Sequence, residues 1–336
     1  MKIQRLFLRN VRSIKSLDLD FRNPMTGKPM SRIVLIGANG SGKTTILDTL
    51  YRLVGACGAS SGEEELNWVW ALKQSRARAQ VVLDGYCTGQ NYEGLESSYY
   101  VGDQPIVEEK GLLRFDLPLI DPYERFNPEL EYKSGNLVYL PQERDLIPVI
   151  FDQLTAEEEI FQPAYKYENR SKWAGSIESY IVWQNYLDLE DLAKGKPSYR
   201  FKWIVSLIND ILADKEIVGV ERGRVVVATQ SGEKHGLNEL SSGEKQLALL
   251  LVEIQRRILD KGSVILIDEP EISLHPAWQR GLVVALDKII EQYDAQVFMA
   301  THSLEVASMV MPHEVISLND LGIPLGKWEP EKELLP

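Results

Sequence analysis

The sequence predicts an α/β protein organised on a buried parallel sheet, and three observations predict it. Val264-Ile265-Leu266-Ile267 is an apolar run too short for a helix, and it ends abruptly in Asp268-Glu269. That is the pattern of a strand covered on both faces. Ile33-Val34-Leu35-Ile36 repeats it, running straight into Gly37-Ala38-Asn39-Gly40-Ser41-Gly42-Lys43-Thr44-Thr45. Gln296 to Met299 does so again and stops at Ala300-Thr301-His302-Ser303. Open parallel sheets bind ligands outside the C-terminal ends of their strands, so these polar ends are expected to share one edge.

The elements follow in order. Ile3 to Leu8 and Ile14 to Phe21 read as two strands, the second alternating Leu17, Leu19 and Phe21 with Ser16, Asp18 and Asp20. After the glycine-rich loop, Ile46, Leu47, Leu50, Leu53 and Val54 fall on one helical face, and Gly55 to Gly62 reads as a loop. Glu63-Glu64-Glu65 reads as a solvated face, and Trp68 and Trp70 as packing. Arg78 to Tyr86, Ser98 to Val101 and Gly111 to Leu117 suggest strands of an antiparallel sheet that extends the N-terminal one. Leu137-Val138-Tyr139-Leu140-Pro141-Gln142 is another short buried strand with a polar end.

From about residue 150 to 212 aromatic residues become dense, and helical spacing appears in Ile177 and Ile181 and in Phe201, Ile204, Val205, Ile208 and Leu212. We expect a helical insertion at 150–212 in a core made of 1–149 and 213–336. Its Lys166, Arg170, Lys172, Arg200 and Lys202 could form a nucleic-acid face with the aromatics, although acidic residues are mixed among them. Glu216 to Val220 and Arg224 to Ala228 form a hairpin about Arg222-Gly223, and Leu247, Leu250, Leu251, Ile254 and Ile258 mark a helix opened by Leu240-Ser241-Ser242-Gly243-Glu244-Lys245-Gln246. A last helix carries Trp278, Leu282, Leu286 and Ile289, and the acidic tail around Glu329 to Glu333 reads as a solvated end.

Composition narrows the function. The 336 residues are 44% hydrophobic and 26% charged, ordinary for a globular chain, and the formal charge of −12 argues against wrapping nucleic acid over a broad basic face. Two cysteines, Cys57 and Cys87, lack the number and spacing of a disulfide framework or a metal site. The N-terminus has no signal-peptide pattern and no run approaches a membrane span, so a cytoplasmic protein is expected.

The chemistry lies in the strand ends. Gly37 to Thr44 fits G-x-x-x-x-G-K-[ST] with a strand before and a helix after, the context of a phosphate-binding loop for ATP. Gly37, Asn39, Gly40, Ser41 and Gly42 would bring backbone N–H groups to the phosphates, Lys43 would reach the β- and γ-phosphates, Thr44 the Mg²⁺, and Thr45 the α-phosphate. Asp268 is placed to hold Mg²⁺ and Glu269 to take a proton from an attacking water. Gln142 could bridge Mg²⁺ and that water, and His302 could contact the γ-phosphate. Ser241, Ser242 and Gly243 would present hydroxyls and free N–H groups to an anion; read alone they are a plain N-cap.

As an ordered set these stretches resemble an ABC-type ATPase (a P-loop NTPase): Walker A at Gly37 to Thr44, Q-loop at Gln142, signature at Leu240 to Gln246, Walker B at Val264 to Glu269 and H-loop at His302. The start Arg5-Leu6-Phe7-Leu8-Arg9-Asn10-Val11-Arg12-Ser13-Ile14 and the run Glu269-Pro270-Glu271-Ile272-Ser273-Leu274-His275-Pro276 are similar to the SMC/RecF/OLD-like branch. His275 stands where transporters usually carry aspartate, and Ser-Ser-Gly-Glu replaces their Ser-Gly-Gly-Gln. The resemblance implies an ATPase head with a mixed parallel core sheet and an N-terminal antiparallel sheet. It also implies a homodimer, or a higher oligomer, in which two heads sandwich two ATP molecules. Ser242 and Gly243 of one copy then contact the γ-phosphate held by Lys43 of the other, with Mg²⁺ on Thr44 and Gln142 and Asp268 in the layer behind.

Only about thirty residues follow His302, too few for the Toprim nuclease of OLD proteins. Stand-alone ATPases of this shape occur in prokaryotic anti-phage systems such as Septu, PARIS and retron-associated ones. The resemblance therefore implies a switch acting on a separate effector, a nuclease or toxin. A RecF- or SMC-like ATPase binding DNA directly is the alternative, and a transporter subunit a third.

Overall fold

A computed structural model of the chain describes residues 2–57, 78–84, 97–100, 113–116, 136–144, 164–167, 177–212, 214–258, 261–272 and 274–319. In chain order the first elements are β1 (Lys2–Val11), β2 (Ile14–Asp20), β3 (Arg32–Ile36), α1 (Lys43–Cys57), β4 (Arg78–Asp84), β5 (Ser97–Tyr100), β6 (Leu113–Asp116), β7 (Leu137–Leu140) and β8 (Ala164–Lys166). They are followed by α2 (Ile177–Ala193), α3 (Arg200–Asn209), β9 (Lys215–Glu221), β10 (Arg224–Thr229) and β11 (Lys234–Gly236). The C-terminal part holds α4 (Ser242–Arg257), β12 (Val264–Asp268), α5 (Pro276–Tyr293), β13 (Gln296–Thr301), α6 (Leu304–Ser308) and β14 (Val315–Ser317).

The core sheet runs β14-β3-β13-β12-β7-β8, and each of its pairings is parallel. Period-2 alternation divides its side chains between two layers. Ile265 and Ile267 share one core with Val34, Val138, Leu140, Val297 and Met299, together with the apolar faces of α2 to α5. Val264 and Leu266 share the other with Ile33, Leu35, Tyr139 and Phe298, α1, and the inner face of β1 and β2. Both faces are covered, which is why these strands read as unbroken apolar runs. Each large side chain taken fully out of water contributes about 1.5–3 kcal/mol, so a polar group among them needs partners.

Gln296 has them. Fully buried, it accepts from the Ile3 N–H (2.6 Å) and donates to the carbonyls of Ile3 (2.9 Å) and Met30 (2.8 Å). These bonds fasten the N-terminal sheet to the start of β13. At the turn between β1 and β2, Asn10 and Arg12 adopt positive φ (54° and 50°), and Arg12 donates to Asp48 of α1 at 2.8 Å. The turn is thereby tied to the helix that follows the glycine-rich loop.

The structure departs from the expectations at four points. The core sheet is parallel rather than mixed in every described pairing. In the N-terminal sheet, ordered β2-β1-β4-β5-β6, the last pair is parallel instead of antiparallel. Helix α1 continues through Gly55, Ala56 and Cys57, where a loop was expected; a single glycine near a helix end costs only about 1 kcal/mol. Within the aromatic segment, Ala164–Lys166 is a strand that pairs with β7 at the edge of the core sheet, while α2 and α3 supply the expected helices. Trp68, Trp70, Cys87, Arg170, Lys172 and the acidic tail lie outside the described residues.

Candidate functional site

The glycine-rich loop joins β3 to α1. A Cβ at Gly37 would stand 2.5 Å from Ser41 Oγ, so the turn closes only on a bare backbone. Gly40 and Gly42 have φ of +79° and +97°, the region where side chains are strained, and Ile14 lies 3.0 Å from where a Gly42 Cβ would be. The hydroxyl of Ser41 is buried, with no hydrogen-bond partner among the described residues.

Lys43 is buried under this loop. Its ammonium donates to the carbonyls of Gly37 (2.9 Å) and Ala38 (3.2 Å) and stands 2.8 Å from Nε2 of His302. An ammonium only donates, so Nε2 is the acceptor there. Burial holds the Lys43 pKa below the ordinary lysine value, with the charges of Glu269, Asp268 and Glu271 opposing that shift. A cation held on two neutral carbonyls and surrounded by carboxylates is ready to exchange those carbonyls for phosphate oxygens.

The register β12–β13 and β13–β3 brings the remaining groups to the same edge: Asp268 lies beside Ala300, and Thr301 beside Ile36. Asp268 is 1% exposed. Burial raises its pKa, against a hydrogen bond from Thr44 and the charges of Arg144 and Lys43. Among the described residues, its Oδ1 has no hydrogen-bond partner. An unpartnered buried carboxylate oxygen, a threonine hydroxyl and the Gln142 amide at the end of the adjacent β7 are hard oxygen donors of the kind Mg²⁺ takes. No group of three or more His, Cys, Asp or Glu side chains gathers for a metal among the described residues. These residues fit the ion.

Glu269 leaves the strand with a left-handed φ of 46°. Its N–H donates to Ala300 O at 2.8 Å, and its Oε1 lies 3.4 Å from Nε2 of His302. The neighbouring Glu271 accepts the His302 N–H at 2.7 Å and so fixes the histidine's backbone. Gln142 is exposed. His275 is exposed too, capping α5 by accepting the Ala277 N–H at 3.3 Å.

Ser241, Ser242 and Gly243 sit apart from this cluster. Ser241 caps α4, accepting the Glu244 N–H at 3.3 Å, and Glu244 takes the Ser241 N–H at 2.7 Å and the Lys215 ammonium at 2.9–3.0 Å. Ser242 is exposed, and among the described residues no hydrogen bond joins these three to the glycine-rich loop. Thus Lys43, Thr44, Asp268, Glu269 and His302 come together, with Gln142 at their border, and the signature does not join them.

One residue of this edge escaped sequence reasoning. Arg144, only 6% exposed, donates to the carbonyls of Pro141 (2.7 Å), Asp268 (2.8 Å) and Glu269 (3.0 Å). Of the basic residues expected on a nucleic-acid face, Lys166 is half-buried, while Arg200 and Lys202 are exposed. Lys166 lies 3.7 Å from Asp48 and over the Tyr139 ring, and Arg200 pairs with Asp191 at 2.7 Å and Asp188 at 3.5 Å.

Known proteins give this geometry a context. Residues 1–69 match the family model "AAA ATPase domain", and residues 198–308 match "AAA domain, putative AbiEii toxin, Type IV TA system". The chain is 28% identical over 187 residues to "Retron Vc95 probable ATPase" of Vibrio cholerae serotype O1 biovar El Tor, covering 51% of this chain and 35% of that protein. It is 33% identical over 82 residues to "Retron Ec83 probable ATPase" of Escherichia coli, covering 21% of this chain and 15% of the relative. "Septu protein PtuA" of Bacillus thuringiensis is 23% identical over 343 residues, 94% of this chain and 75% of PtuA. The matched part thus spans about a third of the Vc95 protein and less of the Ec83 one. Among solved structures, the "SMC head domain from Thermotoga maritima" superposes with a TM-score of 0.48 at 14% identity, covering 94% of both chains. Its parallel sheet and phosphate loop give the chain the fold of an α/β P-loop ATPase head, similar over parts of its length to the two AAA family models and distantly to the retron ATPases and PtuA.

Proposed function

We propose that the chain binds and hydrolyses ATP with Mg²⁺ as a homodimeric switch, and that the switch controls a separately encoded effector in anti-phage defence. The observation that carries the catalytic part is the contact series Lys43–His302–Glu269, assembled beside a buried, part-unpartnered Asp268. ATP would draw Lys43 off the carbonyls of Gly37 and Ala38, and the loop N–H groups and Ser41 hydroxyl would take phosphate oxygens. Thr44 and Gln142 would hold Mg²⁺, with Asp268 behind them; the ion neutralises charge on the phosphates during transfer. Glu269 orients a water in line with the γ-phosphate and accepts its proton, while His302, beside Glu269, contacts that phosphate. Ser242 and Gly243 of a second copy complete the site, so turnover waits for two heads to meet.

What supports the effector and the defence role is the naming of the relatives as retron ATPases and as a Septu protein. The net charge of −12, with the exposed Arg200 paired to Asp191 and Lys166 beside Asp48, favours a protein partner over direct wrapping of DNA, and a cytoplasmic setting suits both. Glu269→Gln tests the chemistry. It removes the base and keeps the shape, so turnover should fall by about 10²–10⁴-fold with the ATP affinity of wild type. Turnover within about threefold of wild type would assign water activation to another group.

A further inference from the structure

Arg144 serves no step of the mechanism above, yet it is a buried cation whose described hydrogen bonds all run to backbone carbonyls. Placing a guanidinium out of water costs several kcal/mol, which the local field must offset. Here the offset comes from Asp268, Glu271 and Glu269, all at the catalytic edge.

Its carbonyl partners are informative. Two belong to Asp268 and Glu269, the residues on either side of the peptide where the chain turns from extended β12 into the left-handed conformation of Glu269 (φ 46°). A non-glycine residue held there costs about 1–2 kcal/mol and persists only where its surroundings over-determine it. The Glu269 N–H is fixed on Ala300 O, and its C=O receives Arg144 and the Ile272 N–H at 3.3 Å. Arg144 therefore locks the backbone that aims the Glu269 carboxylate toward His302.

Arg144 is itself held from the signature helix. The side-chain amide of Gln246 donates to the Arg144 carbonyl at 2.8 Å. Gln246 lies on α4, one turn after Ser242 and Gly243. An unbroken series of hydrogen bonds and one peptide backbone thus joins the exposed start of α4 to the catalytic carboxylate within a single chain.

We propose that Arg144 is a positioning residue that couples the signature helix to Glu269: the place of α4, read through Gln246, sets the backbone conformation from which Glu269 works. This rests on the ATPase reading for its catalytic consequence. The coupling itself is a property of the nucleotide-free chain.

The test compares Gln246→Ala, Arg144→Lys and the double variant, none of which removes a group placed on the nucleotide. In nucleotide-free protein, hydrogen exchange in peptides covering 268–272 should speed up by about 5–10-fold in Gln246→Ala, with β13 unchanged. Steady-state turnover should fall by about 10-fold in kcat for either single variant with KM kept, and the double variant should fall no further than the worse single one. Wild-type exchange at 268–272 in Gln246→Ala would overturn the coupling, as would kcat losses that multiply in the double variant. If wild type shows no turnover, the ATPase reading fails and the exchange result alone decides whether Gln246 and Arg144 hold the Glu269 turn.

Discussion

The two regions proposed to meet phosphate are finished to different degrees. At the sheet edge Lys43 and Asp268 are buried, and the Lys43 ammonium donates to the carbonyls of Gly37 and Ala38 and to the exposed His302. At the start of α4, Ser241 caps its own helix, and Ser242 stands in solvent with no hydrogen bond to the loop. Burying charged groups before a ligand arrives costs free energy, and a site pays that cost to avoid reorganising later. The exposed Ser242 bears no such cost. The difference is that the sheet edge has its charged groups buried in place while the start of α4 stays open, an arrangement consistent with the proposed sandwich.

That contrast can be broken at its packed side first. Lys43→Ala should weaken ATP binding by about 100-fold or more, because the loop loses the ammonium beside its carbonyls and a charge-assisted phosphate contact with it. Fluorescent-nucleotide titration measures this, and affinity within about threefold would mean that the loop alone holds the phosphates. Gly42→Ala comes next. At φ +97° and 3.0 Å from Ile14, the added methyl should cost about 1–3 kcal/mol of stability and loosen the loop. Unchanged melting with unchanged ATP affinity would show that the loop tolerates a different path.

The smallest effect sharpens the other side. Burial alone would raise the Glu244 pKa, but the Lys215 ammonium and the Ser241 N–H and hydroxyl outweigh it and hold the group below its ordinary 4.5. A depressed carboxyl contributes stability that is present above the unfolded value and lost as pH falls through the folded one. Below about pH 4.5 wild type should therefore lose stability that Glu244→Gln lacks at every pH, and the gap in melting temperature between them should close. A gap that stays constant down to pH 3 would show that the capping box holds without the charge.

How much of this was legible depended on what kind of partner each residue has. The strands β3, β12 and β13 were plain because burial on both faces demands unbroken apolar residues, and the glycine-rich loop because phosphate chemistry demands glycines, a lysine and a hydroxyl at set spacing. The direction of the β5–β6 pair was hidden, since alternation reports which face is buried and says nothing of parallel or antiparallel pairing. The three residues of β8 are too short to show a period. Arg144 was invisible for a deeper reason: it binds backbone carbonyls, which every residue carries, so no second side chain marks the contact. The isolated N-cap reading of Ser241 also proved sound within one chain. Its proposed second role needs a partner that sequence spacing cannot display.

The most direct measurement is the mass of the Glu269→Gln protein by light scattering or sedimentation, with and without Mg-ATP, beside the same protein carrying Ser242→Arg. The account predicts an ATP-dependent doubling of mass that Ser242→Arg abolishes while a single head still binds ATP. A mass indifferent to ATP, or a dimer that survives Ser242→Arg, would contradict the claim that the open face of α4 completes the nucleotide site of a second copy.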